Sequence, residues 1–595
     1  MGTPTIPQTV HRGGAWLIED TAAADVLTPE RLSDEHRLMA RTAADFVRQE
    51  VAPVRERLEA KDWSIARVLV RRAGELGLLA TDVAEEHGGL ALDKISSVIV
   101  ASEIAADASF GTTFGAMTGL AILPLVAFGT ADQQQRYLPR LAAGEIVGAY
   151  CLSESGSGSD ALGARTRATR LEDGSFSLSG EKMWISNAGF ADVFIVFAKV
   201  DGEAFTAFIV ERGFPGVSIG EEEHKMGLHA SSTAPVILQD ARVPAGNVLG
   251  EIGRGHKVAF NVLNYGRLKL GAATAGGSRA TLAEAVAYAA ERRQFGQPIA
   301  SFGAIRTKLA TMAVRIYVLE SLLFRTADLI DRAVEAGTGT PATRLLAALE
   351  EYAIEASIAK VADSEACDYV VDENVQIHGG NGFVRDYPAE RRYRDARVNR
   401  IFEGTNEINR LLIAGLLARR AAKGDIALIA AAKRLADEVT GPLAFDGADE
   451  TPLGQARRTV AGMKKAALLV LGTAMQRFGE KLADEQEVLM LTADLVIEAF
   501  GAESALLRAE RVRPDGGGDG ARHGDVHEAL ACTAVTDAAL RAEMGAREAV
   551  AALTDGDTRR VTLSALRRLL KGAPVDTVAL RRTIAAHVLA SGGAL

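Results

Sequence analysis

Residues 376–410 read QIHGGNGFVRDYPAERRYRDARVNRIFEGTNEINR, and they decide how the rest of the sequence is interpreted. One carboxylate, Glu403, stands between an aromatic residue and Gly404, and a glycine lets the backbone bend sharply and approach a ligand closely. Thr405 or Asn406 can cap the helix that the following apolar residues predict. Glu403 is therefore predicted to lie in a tight turn among apolar side chains, which raise the pKa of a carboxylate toward that of a useful base. An isolated EGTN more often marks an ordinary helix start, so the interpretation depends on the motifs around it.

The composition excludes several classes of protein. A chain of 595 residues needs more than one core, and its 48% hydrophobic content with only 5% aromatics favours helices. The net charge of −10 argues against a general nucleic-acid binder, and acidic residues interrupt the arginines between 391 and 400, which indicates an ion-paired helix face. Cys151, Cys367 and Cys532 lie far apart, so we expect neither a disulfide nor a metal site, and a reducing, cytoplasmic location. We expect no membrane-spanning segment, because no run of about 18 uncharged apolar residues is evident.

The spacing of apolar residues changes several times along the chain. Apolar residues at helical spacing predict a long helix from Ser33 to Glu59, which Pro53 would kink. Short β-branched and aromatic runs between glycine-rich turns then predict an inserted β domain, after which helical spacing returns with an interruption at 337–340. The predicted parts are an N-terminal arm of uncertain order (1–28), a helical domain (29–147), a β domain (148–253), a helical bundle (254–415) and an additional helical domain (416–595).

Two segments of the opening stretch carry a family resemblance. QIHGGNGF at 376–383 and RIFEGTNEI at 400–408 together resemble the C-terminal signature of the acyl-CoA dehydrogenases, which are FAD enzymes, and the second is most similar to their very-long-chain branch. The resemblance implies a mainly α fold with a central β domain: an N-terminal helical domain, a small β-barrel, a C-terminal four-helix bundle and an extra C-terminal helical domain. It also implies that Glu403 abstracts the α-proton of a fatty acyl-CoA in β-oxidation, leaving a trans-2-enoyl-CoA.

The β domain carries two further motifs of this family. YCLSESGSGSD at 150–160 resembles Y-x-V-T-E-P-x-A-G-S-D, with Ser155 in place of the proline, and GEKMWISN at 180–187 resembles G-x-K-x-W-I-T-N. In the family the tryptophan packs on the flavin, and the hydroxyl residue two positions later bonds to flavin N5. The first motif is not a P-loop, because no Gly-Lys-Ser/Thr follows. The FAD contacts implied here are Tyr150, Leu152, Ser153, Ser159, Trp184 and Ser186.

Another motif implies a cofactor shared between two subunits. YAAERRQFGQPI at 288–299 resembles Y-A-x-x-R-x-Q-F-G-x-P-I, whose arginine, glutamine and phenylalanine reach the FAD of the partner subunit. An arginine can grip a pyrophosphate with two parallel hydrogen bonds. The resemblance therefore implies an obligatory homodimer. The further FAD contacts implied are Arg292, Gln294, Phe295, Gln376, Gly379, Gly380, Thr405, Asn406 and Glu407.

Substrate contacts are implied at both ends of an acyl-CoA. NYGR at 264–267 resembles the N-x-G-R of long-chain members, whose arginine lies near the CoA side of the thioester. Three glycines at 111, 115 and 119 fall on one helical face, where small residues permit either close helix packing or, as in long-chain relatives, room for a long acyl chain. The implied substrate contacts are Ser159, Asn264, Arg267, Gly111, Gly115 and Gly404.

The resemblance leaves alternatives open. It implies electron-transfer flavoprotein as the electron acceptor, but an acyl-CoA oxidase, in which oxygen reoxidises the flavin, would share the base and the fold. A helical scaffold with a vestigial flavin site is a third alternative, against which the intact Glu403, Trp184 and Arg267 argue. In the tail, a basic amphipathic helix could contact a membrane peripherally, or its helices could pack only on their own bundle and the dimer mate. The basic residues concerned are Arg457, Arg458, Lys464 and Lys465.

Overall fold

The computed structural model describes residues 11–440, 449–512 and 519–595. After the arm, an N-terminal helical region surrounds the buried helix α4. A π-helical turn at Val47–Val51 and a 3-10 turn at Ala52–Val54, which contains Pro53, separate α1 from α2, as expected for a helix interrupted by proline. The helices are α1 (Asp34–Phe46), α2 (Arg55–Glu59), α3 (Trp63–Glu75), α4 (Lys94–Ile104), α5 (Ala108–Gly115), α6 (Leu123–Phe128) and α7 (Ala131–Ala142).

The central region is a β-sheet. Its strands are β1 (Gly148–Cys151), β2 (Arg167–Arg170), β3 (Phe176–Ser186), β4 (Val193–Val200), β5 (Ala204–Glu211), β6 (Val217–Ile219), β7 (Thr233–Val243) and β8 (Val248–Leu249). They are ordered β6-β7-β3-β2-β4-β5-β8, and β1 pairs in parallel with β4. The β3–β7 pairing shifts register between Lys182 and Ile185. Such a bulge re-aims the side chains within it, and Trp184 is one of them.

The second helical region is organised around the long helix α8, which packs against α4, α9 and α11. A short hairpin of β9 (Arg293–Gln294) and β10 (Gln297–Pro298) follows α8, and α9 ends at Ala336, so the predicted interruption at 337–340 is confirmed. The helices are α8 (Gly255–Glu291), α9 (Gly303–Ala336), α10 (Pro341–Glu351), α11 (Ala353–His378), α12 (Ala389–Ala396) and α13 (Asn406–Lys423).

Three of the five arginines between 391 and 400 are engaged in ion pairs, as their interrupted pattern predicts. Each of three pairs joins a guanidinium on or just after α12 to a carboxylate within 3.2 Å, two of them on other helices. The pairs are Arg392–Glu284, Arg394–Glu390 and Arg400–Asp368.

The additional helical region packs on α9 and α13 and shares a core with them. Its helices are α14 (Leu428–Thr440), α15 (Pro452–Phe478), α16 (Gln486–Val512), α17 (Asp519–Leu553), α18 (Gly556–Leu569) and α19 (Thr577–Ala590). The basic residues of α15 do not form a free cationic face. Lys464 is buried, and its Nζ lies 2.6 Å from Oε1 of Glu503. The other three basic residues considered for membrane contact are paired as well. Those pairs are Arg457–Glu510, Arg458–Glu450 and Lys465–Glu438. This geometry favours packing within the protein over the membrane contact considered for this helix.

The N-terminal arm is ordered from residue 11 onward, which corrects the expectation of uncertain order for that part; its first ten residues lie outside the described residues. Trp16 is 2% exposed and its ring lies 4.7 Å from that of Phe500, centroid to centroid. The backbone amides of Gly13 and Gly14 donate to the carboxylates of Glu351 and Glu355 at 2.8 and 2.7 Å. The arm thus joins the second helical region to the additional one.

The expectation that no segment has the length and hydropathy of a membrane span is wrong. Within the described residues, Ala108–Phe128, which comprises α5, a π-helical turn and α6, reaches a mean hydropathy of 1.6 without a charged residue. Of its most apolar window, 67% is buried inside the protein. Because most of this window is buried inside the protein, we interpret the segment as part of the core.

Candidate active site

Glu403 lies in the turn that leads into α13. Its φ is +58° and that of Gly404 is +81°, so two consecutive residues adopt the left-handed conformation. Thr405 is the N-cap, since its hydroxyl accepts a hydrogen bond from the Ile408 amide at 3.3 Å, and Asn409 donates to the carbonyls of Gly404 and Thr405. The predicted turn before a capped helix is confirmed. A left-handed conformation at a non-glycine residue costs on the order of 1–3 kcal/mol and is typical of functional sites.

One oxygen of the Glu403 carboxylate is shut off from solvent, although the residue as a whole is only half-buried. Its Oε2 is buried and accepts no hydrogen bond from any described residue. Burial raises the pKa of Glu403 to about 7, although the cations of Arg267 and Lys360 oppose the shift. A Cβ atom on Gly266 would lie 2.6 Å from Oε2, so a larger residue there would displace the carboxylate. A carboxylate with a pKa near neutrality is suited to act as a general base.

Arg267 contacts the backbone of Glu403. Its side chain is buried, Nη1 donates to Asn264 Oδ1 at 2.8 Å, and Nε donates to the carbonyl of Glu403 at 3.4 Å. Burial lowers the pKa of Arg267 to about 10, and the charge of Glu403 opposes this shift. Both Arg267 and Asn264, which the resemblance assigns to substrate, therefore also fix the backbone of the base loop.

Lys360 is a charged neighbour of the base loop that sequence reasoning missed. It is fully buried on α11, and its Nζ donates to Asn406 Oδ1 at 2.5 Å. Burial lowers the pKa of Lys360 to about 7, against the opposing charge of Glu403. The side chain of Asn406 also donates to Ser364 at 3.1 Å and to Glu365 at 3.0 Å, so it turns into the protein, and a cofactor contact at Asn406 would come from its backbone. A lysine inside the alanine-rich run SIAKVA was the available signal.

A cavity opens beside Glu403 and follows α8. It holds about 1060 Å³ of space not occupied by protein atoms, counting its open mouth. On α8 its wall extends from Gly266 to Thr281, and the 15 residue steps between them correspond to about 22 Å of helix. The residues of that wall are Gly266, Lys269, Leu270, Ala273, Thr274, Gly277 and Thr281.

The glycines of the opposite wall combine the two alternatives considered for them, which are close helix packing and open space in the cavity. A Cβ atom on Gly111 would lie 3.1 Å from the Cα atom of Ala105, which indicates close packing. A Cβ atom on Gly115 would have no described atom within 4 Å, and one on Gly119 would only touch Lys269 at 4.0 Å. Gly111, Gly115 and Gly119 all line the cavity, and the latter two leave it wide.

Trp184 forms an exposed aromatic surface on the strand whose last residue lines the cavity. It is 56% exposed with a φ of +57°, in the bulge of β3, and Ser186, two residues later, lines the cavity together with Glu403. A buried ion pair between Lys182 and Glu154, with 2.7 Å between Nζ and Oε1, fixes the neighbouring loop to β3. A large indole held outward on a fixed strand fits the planar ring system of FAD.

The loop before β2 presents the remaining polar groups of the predicted flavin site. Cβ atoms on Gly156 and Gly158 would meet nothing within 4 Å among the described atoms, which leaves room for a ligand close to the backbone. The hydroxyl of Tyr150 is buried, and no residue in the described ranges partners it; its burial and the charge of Glu403 raise its pKa. Leu152 and Ser153 are half-buried, and Ser159 and, on α13, Glu407 are exposed.

The other predicted FAD contacts form a separate group at the far end of α8. Phe295 is 92% exposed at the tip of the β9–β10 hairpin with a φ of +51°. The ring of Tyr288 stacks on His378 with 3.9 Å between centroids, which brings the hairpin next to residues 376–380. These residues are exposed and lie outside the cavity that contains Glu403. The group comprises Arg292, Gln294, Phe295, Gln376, Gly379 and Gly380.

Comparison with protein families accounts for most of the chain. Residues 33–145 match the acyl-CoA dehydrogenase N-terminal domain, residues 149–241 the middle domain and residues 253–417 the C-terminal domain of the same family. Residues 462–568 match a further model described as an acyl-CoA dehydrogenase C-terminal domain.

Individual relatives and solved structures resemble the chain over 65% to 98% of its length. A probable acyl-CoA dehydrogenase of Bacillus subtilis is 44% identical over 97% of this chain and 98% of its own length. The very long-chain specific acyl-CoA dehydrogenase of Macaca fascicularis is 34% identical over 89% of this chain and 82% of its own. The crystal structure of an acyl-CoA dehydrogenase complexed with FAD from Bacillus anthracis superposes with a TM-score of 0.95 at 44% identity, over 98% of this chain and 99% of that one. Butyryl-CoA dehydrogenase from Megasphaera elsdenii superposes with a TM-score of 0.60 at 36% identity, over 65% of this chain and 98% of that one.

Proposed function

The chain belongs to the acyl-CoA dehydrogenase family as an FAD-dependent oxidoreductase, and from this premise we propose that it oxidises long-chain fatty acyl-CoA with Glu403 as the catalytic base. One observation carries the proposal. Glu403, whose Oε2 is buried without a hydrogen-bond partner among the described residues, lines a cavity that continues for about 22 Å along α8.

The chemistry assigned to the chain is proton transfer. Glu403 takes the α-proton of the thioester, the electron pair of that C–H bond forms the α,β double bond, and the β-hydrogen leaves as a hydride. Bound FAD supplies the hydride acceptor. We propose that the backbone amide of Glu403 donates a hydrogen bond to the thioester carbonyl. A donor at this position stabilises the negative charge that develops on the carbonyl oxygen as the α-proton leaves. With its pKa raised to about 7, Glu403 is a stronger base than an exposed carboxylate.

The length of the cavity supports a preference for long chains. A saturated chain advances about 1.25 Å per carbon, given C–C bonds of about 1.5 Å at angles of about 111°, so about 22 Å accommodates about 18 carbons. Gly115 and Gly119 support the same preference, since side chains there would narrow the cavity.

The assembly and the electron acceptor are part of the proposal. The exposed hairpin with Phe295, remote from the cavity of its own chain, supports a homodimer in which that hairpin borders the partner's FAD. We propose electron-transfer flavoprotein as the acceptor and β-oxidation in the cytoplasm as the setting, which the buried thiols of all three cysteines support.

An anaerobic titration tests the proposal. The FAD-loaded enzyme is mixed with saturated acyl-CoAs of increasing chain length, and bleaching of the flavin band is recorded. We expect the strongest bleaching with long chains, and no bleaching in Glu403→Gln, although this variant should still bind FAD and substrate. Bleaching by Glu403→Gln at the wild-type rate would refute the assignment of the base, and bleaching only by short chains would refute the preference for long ones.

A further inference from the structure

The far end of the acyl cavity differs in chemistry from its middle. Alanine, glycine, leucine and threonine form most of the wall, but Arg392 on α12 reaches the lining together with Thr281. Its guanidinium is held in place: Nε donates to Glu284 Oε2 at 2.8 Å, and Nη1 donates to the carbonyl of Ala106 at 3.3 Å. A charged group thus lies where a hydrocarbon tail would end.

Glu284 connects this arginine to two long helices. It lies on α8 three residues beyond Thr281, and its second oxygen accepts a hydrogen bond from Asn374 on α11 at 2.8 Å. Asn374 is fully buried, and the side chains of Arg392 and Glu284 are only 21% and 16% exposed. The ion pair therefore ties α12, α8 and α11 together at the point where α8 leaves the cavity.

We propose that the Arg392–Glu284 ion pair is the end stop of the acyl cavity and sets the longest straight chain that the enzyme accepts. The inference rests on the proposed function. A methylene chain that pushed past this point would have to separate two hydrogen-bonded charges in a poorly solvated place and could offer neither of them a hydrogen bond. From Gly266 to Glu284 the helix advances by 18 residue steps, or about 27 Å, so at about 1.25 Å per carbon the stop acts on chains of more than about 21 carbons.

Arg392 acts here as a specificity-determining residue and touches none of the reacting atoms. Glu284 already neutralises it, so the pair excludes excess chain length and provides no free charge for an anionic chain end. A polar ω-group should gain nothing over a methyl group.

The test compares two matched double variants of the FAD-loaded enzyme. Glu284→Ala/Arg392→Ala removes both charges of the stop, so neither is left unpaired. Glu390→Ala/Arg394→Ala removes a pair of similar length, 2.6 Å between Nε and Oε2, from the same helix α12 but outside the cavity. Anaerobic stopped-flow flavin reduction is measured with saturated acyl-CoAs from dodecanoyl to hexacosanoyl.

We expect the ratio of the second-order rate constant of flavin reduction for the longest chains to that for dodecanoyl-CoA to rise at least tenfold in the first variant and to stay at the wild-type value in the second. Thr281→Phe, which fills the same end, should shorten the longest accepted chain by several carbons. A wild-type chain-length profile in the first variant, with FAD bound and dodecanoyl-CoA still bleaching the flavin, would overturn the end stop, and so would faster reduction by ω-carboxyl chains than by methyl-ended chains. If no acyl-CoA bleaches the wild-type enzyme, the proposed function itself fails, which is a distinguishable result.

Discussion

Glu403→Gln should change the pH dependence of stability as well as abolish activity. In the folded protein the pKa of Glu403 is raised from 4.5 to about 7 by burial. Since the folded pKa lies above the unfolded one, the folded state is not penalised below pH 4.5, where the carboxyl is neutral in both states. The penalty grows as the pH rises and is complete above about pH 7. Glutamine has nearly the same shape as glutamate but carries no charge, so the Glu403→Gln variant should not be destabilised as the pH rises.

The magnitude follows from the two pKa values. At about 1.4 kcal/mol per pH unit, the difference between 4.5 and about 7 corresponds to about 3 kcal/mol. If the 595-residue chain unfolds as one unit, with about 2.1 cal/mol/K per residue, this corresponds to about 2.5 °C in Tm, and to more if a smaller part unfolds separately.

The assay is thermal unfolding of both proteins between pH 5 and 8.5 with saturating FAD. The Tm of Glu403→Gln minus that of the wild type should increase with pH and level off above about pH 7. Glu350→Gln, at an exposed position on α10, is the matched control for the loss of a carboxylate that is not buried. A pH-independent difference for Glu403→Gln would refute the burial of an unpaired, ionisable carboxylate at this position.

Two other variants test the surroundings of the base. Lys360→Met should move the acidic limb of flavin reduction to higher pH, because the cation that lowers the pKa of Glu403 is lost, and Lys360→Arg should restore the wild-type profile; an unshifted limb in Lys360→Met would contradict the coupling. Trp184→Gly should retain the fold, since the indole is 56% exposed at a φ of +57°, but should lose flavin on gel filtration; full retention of flavin absorbance would argue against an aromatic contact there.

Local chemistry explains what the sequence could predict. The turn at Glu403 and its cap depend on Gly404 and Thr405 within a few residues, and the strand runs of the β domain depend on their own alternation and turns. These features depend on interactions between residues that are close together in the sequence, so the sequence pattern and the structure agree.

Features built from distant residues could not be predicted in the same way. Lys360 meets the base loop 46 residues away at Asn406, and Arg392 pairs with Glu284 across 108 residues, so their functions depend on how helices pack. Trp16 belongs to a stretch without periodicity, and its burial depends on α16, which supplies Phe500. The charge-free segment 108–128 has the composition of a membrane span, and only its neighbours in the fold show that it is internal.

The anchoring of the N-terminal arm fixes an order of events during synthesis. Lys464 donates a hydrogen bond to the carbonyl of Glu19 at 2.8 Å, across 445 residues. At a translation rate of about 5–20 residues per second, residue 464 is made roughly 20 to 90 s after residue 19. Throughout that interval Trp16 has no site to occupy, so a nascent chain that stalls before α16 exposes an indole that a chaperone could bind. Trp16, which precedes Trp63 and Trp184 in the chain, is thus buried only after most of the chain has been made.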